Sequence, residues 1–498
     1  VKKFKKALAL SLALAMGLSL VACGGSSDTT DTSSDDSAAT TTESAAADDT
    51  EEATTEEAAA DDTEEAATEE AASTSTANIS NDGTTLNVWA WNTEFISRLA
   101  DYYPGFEYND PDDVTAGGKI GDVNVVFTIT PSDDNAYQNA LDAALLAQAD
   151  ADADSKIDIF ACEIDYAKKY VEQTDYVLDV KNDLGLTDDE LSTQFQYTKD
   201  VMTAADGTLR GVSWQACSSG MIYRRDIAEE VLGVSEPDDV QALVSDWDAY
   251  KTVAQQLADA GYYSSSVFDT FRIFQMNAGS AFVVDDKLNL DSKITEWVEL
   301  SKEMVDAGTA TTAALWGDEW ATGELSDGKA FAYFGPAWFF NFCLQADTEG
   351  SVAYDGNWGF CEGPESFSWG GTWICGVNGT DNADLVADIM RVLSTDYDTM
   401  KQIAVDNSEC VNNVNVLNDL GASDEGNVAL LGGQNPWSTL ASAAENIDLS
   451  SNLSAYDQGC VETFQNKMKE YLDGTTDYDS AYAAYVSEVL EKYPNLSE

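Results

Sequence analysis

No histidine occurs anywhere in the 498 residues. Its absence removes the commonest general base and the commonest zinc ligand, and rules out a Ser-His-Asp or Cys-His arrangement. Other bases are scarce: 25 Lys and Arg stand against 90 Asp and Glu, a net charge of −65. Nucleic-acid binding depends on Lys and Arg neutralising phosphates, so this composition excludes nucleic acid as a partner. Anionic ligands are disfavoured unless a local pocket reverses the field, whereas neutral or cationic small molecules are not. The GxxxxGK[ST] phosphate loop is missing, and so is any CxxC pair. Past the opening segment no apolar run approaches the ~20 residues that span a bilayer.

That opening segment is informative. Lys2, Lys3, Lys5 and Lys6 precede an apolar run from Ala7 to Leu20, the basic-apolar-small layout of a secretory signal. Leu20-Val21-Ala22-Cys23 then resembles a bacterial lipobox. The resemblance implies a signal peptide over 1–22, cleavage before Cys23, lipidation of Cys23, and attachment to the extracellular face of the cytoplasmic membrane. Residues 23–83 hold 18 acids and no base among Ser, Thr and Ala. Such a segment cannot bury enough apolar surface to repay ordering, and its like charges stretch it, so it reads as a disordered spacer. Asp48–Ala53 returns as Asp61–Ala66, a period too short for a solenoid unit.

From residue 84 onward 72 acids face 21 bases, a net of −51. This body of about 415 residues is long enough for two domains. Leu86–Trp91, Val123–Ile129 and Ile157–Ala161 read as strands, with helical patterns carrying Phe95, Leu99 and Tyr102, then Leu141, Ala144 and Leu145, between them. This order predicts a parallel sheet, which binds ligands beyond the carboxyl ends of its strands. Trp91, Asn92 and Glu94, residues 131–134, and Glu163 with Asp165 fall at those ends. Further strands are expected at Arg210–Trp214 with Met221–Tyr223 and at Lys329–Pro336, and helices at Trp247–Ala260 and Ile294–Ala307. The first of these helices opens on Ser245-Asp246 and stops at Gly261.

Asp150, Asp152 and Asp154 share the opening spacing of a calcium loop. Ser155 stands where the turn glycine belongs and Ala161 where the bidentate glutamate belongs, so no metal site is assigned. No cofactor is called for. Besides Cys23 seven cysteines remain, an odd number; several lie in apolar runs where a free thiol packs as a small hydrophobe, although the compartment would permit disulfides.

Several stretches carry a family likeness: GVSWQACSSGMIYRRDIAEEVLG, DGKAFAYFGPAWF, SWGGTWICGVNGTDNADLVADIMRVLS and STDYDTMKQIAVDNSECVNN, followed by GGQNPWSTLASAAENI, YDQGCVETFQNKMKEYLDG and EVLEKYP. In this order they resemble the carbohydrate-binding lipoproteins of ABC importers, the extracellular solute-binding proteins of the maltose-binding type. The resemblance implies an α/β fold of the type II periplasmic-binding-protein kind, with two hinged lobes, each a central sheet flanked by helices. It places one lobe at 84–209 plus 336–382 and the other at 210–335 plus 383–498. Chain crossings are expected near Arg210–Val212, near Tyr333–Pro336 and near residue 383. Hinge closure over a ligand would be read by permease subunits, with no reaction catalysed by this chain, which is expected to be a monomer.

A sugar presents C–H faces that stack on aromatic rings and hydroxyls that pair with carboxylates, amides and Arg. Trp91, Trp214, Trp338 and Trp369 stand at strand ends or turns and are the candidate stacking rings. Gly370 and Gly371 would let backbone approach a ligand. Glu94, Glu163 and Arg272, then Asn92 and Gln215, are the candidate polar contacts. Trp89, Trp247, Trp297 and Trp358 are assigned to packing. Two alternatives stay open: a polyamine or peptide as the solute, or a secreted glycan-active hydrolase or adhesin, with paired carboxylates such as Glu94 and Glu163 as the catalytic groups.

Overall fold

The computed structural model describes residues 77–173, 175–344 and 348–498; the signal, Cys23 and most of the spacer lie outside them. Its strands are β1 (Thr85–Ala90), β2 (Phe106–Tyr108), β3 (Gly118–Ile120), β4 (Val123–Ile129), β5 (Ile159–Glu163), β6 (Ser218–Arg224), β7 (Val283–Val284), β8 (Lys287–Leu288), β9 (Ala332–Pro336), β10 (Trp358–Cys361), β11 (Phe367–Ser368) and β12 (Thr372–Gly376). A first sheet has the order β12-β5-β1-β4-β3-β2. At its centre β1 pairs in parallel with β4 and β5, as the alternation of strands and helices predicts. β12 closes one edge antiparallel to β5.

Side-chain alternation explains why β1 sits there. Leu86, Val88 and Ala90 are buried on one face. Asn87 is buried on the other, where its amide donates to the carbonyls of Asp154 and Lys156. The helix Glu94–Tyr102 then buries Phe95, Ile96 and Leu99 at helical spacing. β5 feeds directly into the helix Ile164–Val171, because Glu163 is both the last strand residue and the N-cap, its carboxylate accepting the Asp165 N–H at 2.8 Å.

The second sheet is built around β6, every residue of which is buried. β9 pairs with it on one side, and β10 and β11 follow one another on the other side, all antiparallel. β7 and β8 form a separate hairpin. Trp297 and Trp358 are fully buried, as expected of packing residues, and Trp89 and Trp247 pack half-buried against the core. All seven cysteines among the described residues are buried free thiols. None of the described helices is long and apolar enough to cross a membrane.

Four expectations about organisation are corrected. The spacer was expected to reach residue 83, yet Asn78, Ser80 and Gly83 hydrogen-bond through their backbones to 379–383, so the folded body begins several residues earlier. Arg210–Trp214 is not a strand; only Val212 bridges, to Ile374 on β12. Trp358–Cys361 and Phe367–Ser368 join the second sheet rather than the first, so of the segment 336–382 only β12 lies in the first sheet. The Tyr333–Pro336 strand belongs to the second sheet, paired with β6, and the helix Ala383–Ser394 packs on β12 and on the helix Glu94–Tyr102; neither marks a crossing.

The chain passes between the two sheets at three places that lie side by side, the first directly after Arg210–Val212. The chain leaves the bridge at Val212 and enters β6 at Ser218. It returns from β11 to β12 over Trp369–Gly371. It crosses a third time over 409–413, between the helix Tyr397–Asn407 and the helix Val414–Gly421, which packs on the β6-bound helix Trp437–Glu445. Backbone bonds tie the three together: Ala216 N–H to Cys410, Asn412 N–H to Trp214, and Trp369 N–H to Cys217.

Candidate ligand-binding site

Parallel pairing sets the carboxyl ends of β1, β4 and β5 on one rim, and the crossings run past it. Trp91 follows β1 and meets Tyr137 and Tyr166 edge-on, at ring-centre distances of 5.8 and 6.2 Å. Asn92 accepts the Glu94 N–H at 2.9 Å, which shapes the entry to the helix. Glu163 stands at the end of β5. A methyl group placed on Gly370 would lie 3.5 Å from the Trp338 indole nitrogen and 3.8 Å from Glu163 Oε1. Glu163, Gly370 and Trp338 therefore converge, although the sequence separates them widely. Gly370 has φ +72° and Gly371 φ +124°, conformations that cost an L-residue strain.

Aromatic rings line the side toward the second sheet. Trp338 and Trp369 meet edge-on at 5.5 Å, and the Trp338 indole N–H donates to the Trp369 carbonyl at 3.3 Å. Trp369 is only 7% exposed, so it backs the wall while half-buried Trp338 presents it. Trp316 completes the group, 6.2 Å from Trp338 and 5.9 Å from Trp369. It was not among the sequence candidates. Its φ of +67° is strained for a bulky residue. The available signal was a tryptophan directly before Gly317, the same pairing as Trp369 with Gly370.

Two carboxyls on this rim are pushed well above their ordinary range. Burial, and then repulsion from Asp165, raises Glu163 to about 8 against the pull of Arg272. Burial, and then repulsion from Glu409, raises Glu94 to about 7 against the pull of Arg98.

Arg272 differs from its expected role. Both of its terminal nitrogens bind Asp165, each at 2.6 Å, and one also binds Gln275 at 2.7 Å. Asp165 rides on the helix after β5, whereas the Arg272 helix (Phe271–Met276) packs on β11. The pair thus spans the two sheets' halves, and Gln138 with Gln458 makes a second contact of this kind at 2.9 Å. Trp214 is corrected outright: it is 0% exposed, stacked on Phe95 at 5.6 Å, with its indole N–H given to Glu409. Gln215 is buried as well, bonded to Glu94 and Glu409. Neither offers a surface to a ligand in this conformation. The Asp154 carboxylate of the calcium-like spacing accepts from the hydroxyls of Thr84 and Thr85.

The model of the bacterial extracellular solute-binding protein family matches residues 115–408. The chain belongs to that family, whose members bind solutes and are not enzymes. Solved structures share the fold. A family 1 extracellular solute-binding protein is 16% identical, with a TM-score of 0.66 over 82% of this chain and 99% of its own. The sugar-binding protein MalE of Xanthomonas citri is 15% identical, with a TM-score of 0.60 over 82% of this chain and 98% of its own. The galacto-N-biose/lacto-N-biose I-binding protein of Bifidobacterium longum, solved with lacto-N-biose, is 12% identical, with a TM-score of 0.59 over 84% of this chain and all of its own. No curated protein matches the chain. The α/β two-lobe reading is confirmed at the level of the fold.

Proposed function

We propose that this chain captures a neutral sugar or oligosaccharide outside a bacterial cell, held to the membrane by a lipid on Cys23, and delivers it to the permease subunits of an ABC importer. The observation that carries the reading is the meeting of a tryptophan wall, Trp338 backed by Trp316 and Trp369, with the bare backbone of Gly370 and the carboxyl of Glu163. Indole faces suit the C–H face of a pyranose, and buried carboxyls suit its hydroxyls. Trp91, Asn92 and Glu94, just past the end of β1, would add further contacts on the same rim. The Asp165–Arg272 pair supports closure of one lobe on the other, the step a permease would read. Similar folds solved with lacto-N-biose and with β-1,6-galactobiose support a sugar as the guest.

The test is a thermal-shift and tryptophan-fluorescence screen of the lipid-free chain against mono- and oligosaccharides, with spermidine and short peptides as contrasting arms. Saturable stabilisation by one sugar, with the sugar recovered intact, is the expected outcome. Stabilisation by spermidine or a peptide alone, or release of a cleaved product, overturns it.

A further inference from the structure

A buried relay runs from the rim into the crossings. Oε1 of Glu94 and Oε1 of Glu409 accept hydrogen bonds from the same nitrogen, Nε2 of Gln215, at 2.7 and 2.8 Å. Oε1 of Gln215 accepts the backbone N–H of Thr372 at 3.1 Å. The amide has no alternative orientation, because reversing it would set N–H against N–H at Thr372 and an oxygen between two carboxylates. Glu409 is otherwise fully engaged: Oε1 also accepts the Trp214 indole N–H at 2.7 Å, and Oε2 accepts Arg98 Nε at 2.7 Å. The side chains of this ion pair are 9% and 5% exposed.

The placement in the fold gives the network its meaning. Gln215 lies in the first crossing, Thr372 follows the second as the first residue of β12, and Glu409 opens the third. One amide side chain therefore links all three, also accepting from the Cys217 thiol of its own crossing at 3.9 Å, and a further contact goes to Glu94 on the rim. A device that only fastened the crossings would close on Gln215, Glu409, Arg98 and Trp214, without Glu94. The charged and titratable groups facing Glu94 are Glu409 from the third crossing, Arg98 from its own helix and the Cys217 thiol from the first crossing.

We propose that Glu409 is a positioning residue that, through Gln215, holds Glu94 in place at the rim and makes a change at Glu94 felt in all three crossings. A ligand hydroxyl donating to Glu94 withdraws its charge from the Gln215 NH2 group that it shares with Glu409. The Gln215 amide is then drawn toward Glu409, and the Trp214 indole bond to the same oxygen changes with it. Glu94 as a ligand contact rests on the preceding reading; the relay does not. Protonating Glu94 removes the same charge, so pH replaces the sugar in the test.

The experiment follows the Trp214 indole N–H resonance and the Glu94 side-chain carboxyl carbon in the full labelled chain from about pH 5 to about pH 9, with Trp214→Phe assigning the indole signal. The indole signal is expected to shift with the midpoint of Glu94. Glu94→Gln removes that shift. Gln215→Ala uncouples the two, leaving Glu94 titrating while Trp214 no longer follows. Glu409→Gln lowers the Glu94 midpoint by about one pH unit, since a like charge is gone and Arg98 faces Glu94 alone. An indole signal that ignores pH, or that follows Glu94 equally well after Gln215→Ala, overturns the relay. Should Gln215→Ala fail to fold, an indole shift that survives Glu94→Gln overturns it instead, and its loss supports it. No sugar is present, so a glycan panel without a hit sinks the preceding reading and leaves this one standing.

Discussion

Arg272 grips Asp165 through two parallel N–H···O contacts of 2.6 Å, joining an element that packs on the second sheet to the helix that follows β5. The two side chains are 12% and 17% exposed, so water screens the pair little. Fork-to-carboxylate geometry places this among the strong kind of polar contact.

Breaking one side of the pair strands a buried charge. Arg272→Met should cost about 3–5 kcal/mol of folding stability, and Asp165→Asn with Arg272→Met should recover much of it. Urea unfolding of the single and double variants checks this. A single variant as stable as the parent would show that the pair does not hold the halves together. The same variants should enlarge the radius of gyration measured by X-ray scattering.

Glu163 and Glu94, together with Asp457 and Asp269, have folded-state values raised by burial to about 8, 7, 7 and 8. Between the unfolded carboxyl range near ~4 and those values, the folded chain binds more protons than the unfolded chain, so stability falls as pH rises. Their contribution is complete below about pH 4 and lost by about pH 8. Melting temperature should accordingly decline from pH 5 to pH 8, and Glu163→Gln should flatten the decline without affecting the melt at pH 5. A melting temperature that rises over this interval would contradict the assignment.

Much of the first half was legible in the residues. The run Leu86–Trp91 and the apolar spacing after it define β1 and its helix, and parallel order followed from alternation, because each strand's period is local. Glu94, Glu163 and Trp91 reached the rim for the same reason. The second and third crossings were not legible. Which strand β10 or β11 would pair with depends on contacts more than 130 residues apart, as between Trp358 and Arg224, and nothing local encodes them. Arg272 and Trp214 were misassigned for a related reason: a scarce base and a turn tryptophan look available until the partner, Asp165 or Glu409, is placed beside them.

Gly370 should be more sensitive than its small size suggests. At φ +72° a side chain is strained by about 1–2 kcal/mol wherever it points. Here the added methyl also enters the space between Trp338 and Glu163. Gly370→Ala is therefore expected to weaken binding of whichever glycan the screen identifies by about tenfold or more, while lowering the melting temperature only modestly. Titration calorimetry beside a thermal melt separates the two effects. Undiminished affinity would move the sugar away from this loop.

Trp338 and Trp214 should behave in opposite ways, since one presents its ring at the wall and the other is sealed against Phe95. Trp338→Ala removes a stacking face and should weaken glycan binding by roughly 10- to 100-fold, the equivalent of about 1.5–3 kcal/mol of lost ring contact. Trp214→Phe keeps the packed ring and removes only the indole N–H held by Glu409. It should leave the wall intact and lower stability by about 1.5–3 kcal/mol, the range for a hydrogen bond to a charged group. Fluorescence titration of the two variants, each beside its melting curve, distinguishes them. Glycan quenching that survives Trp338→Ala but disappears with Trp214→Phe would place the ligand among the crossings instead of on the rim.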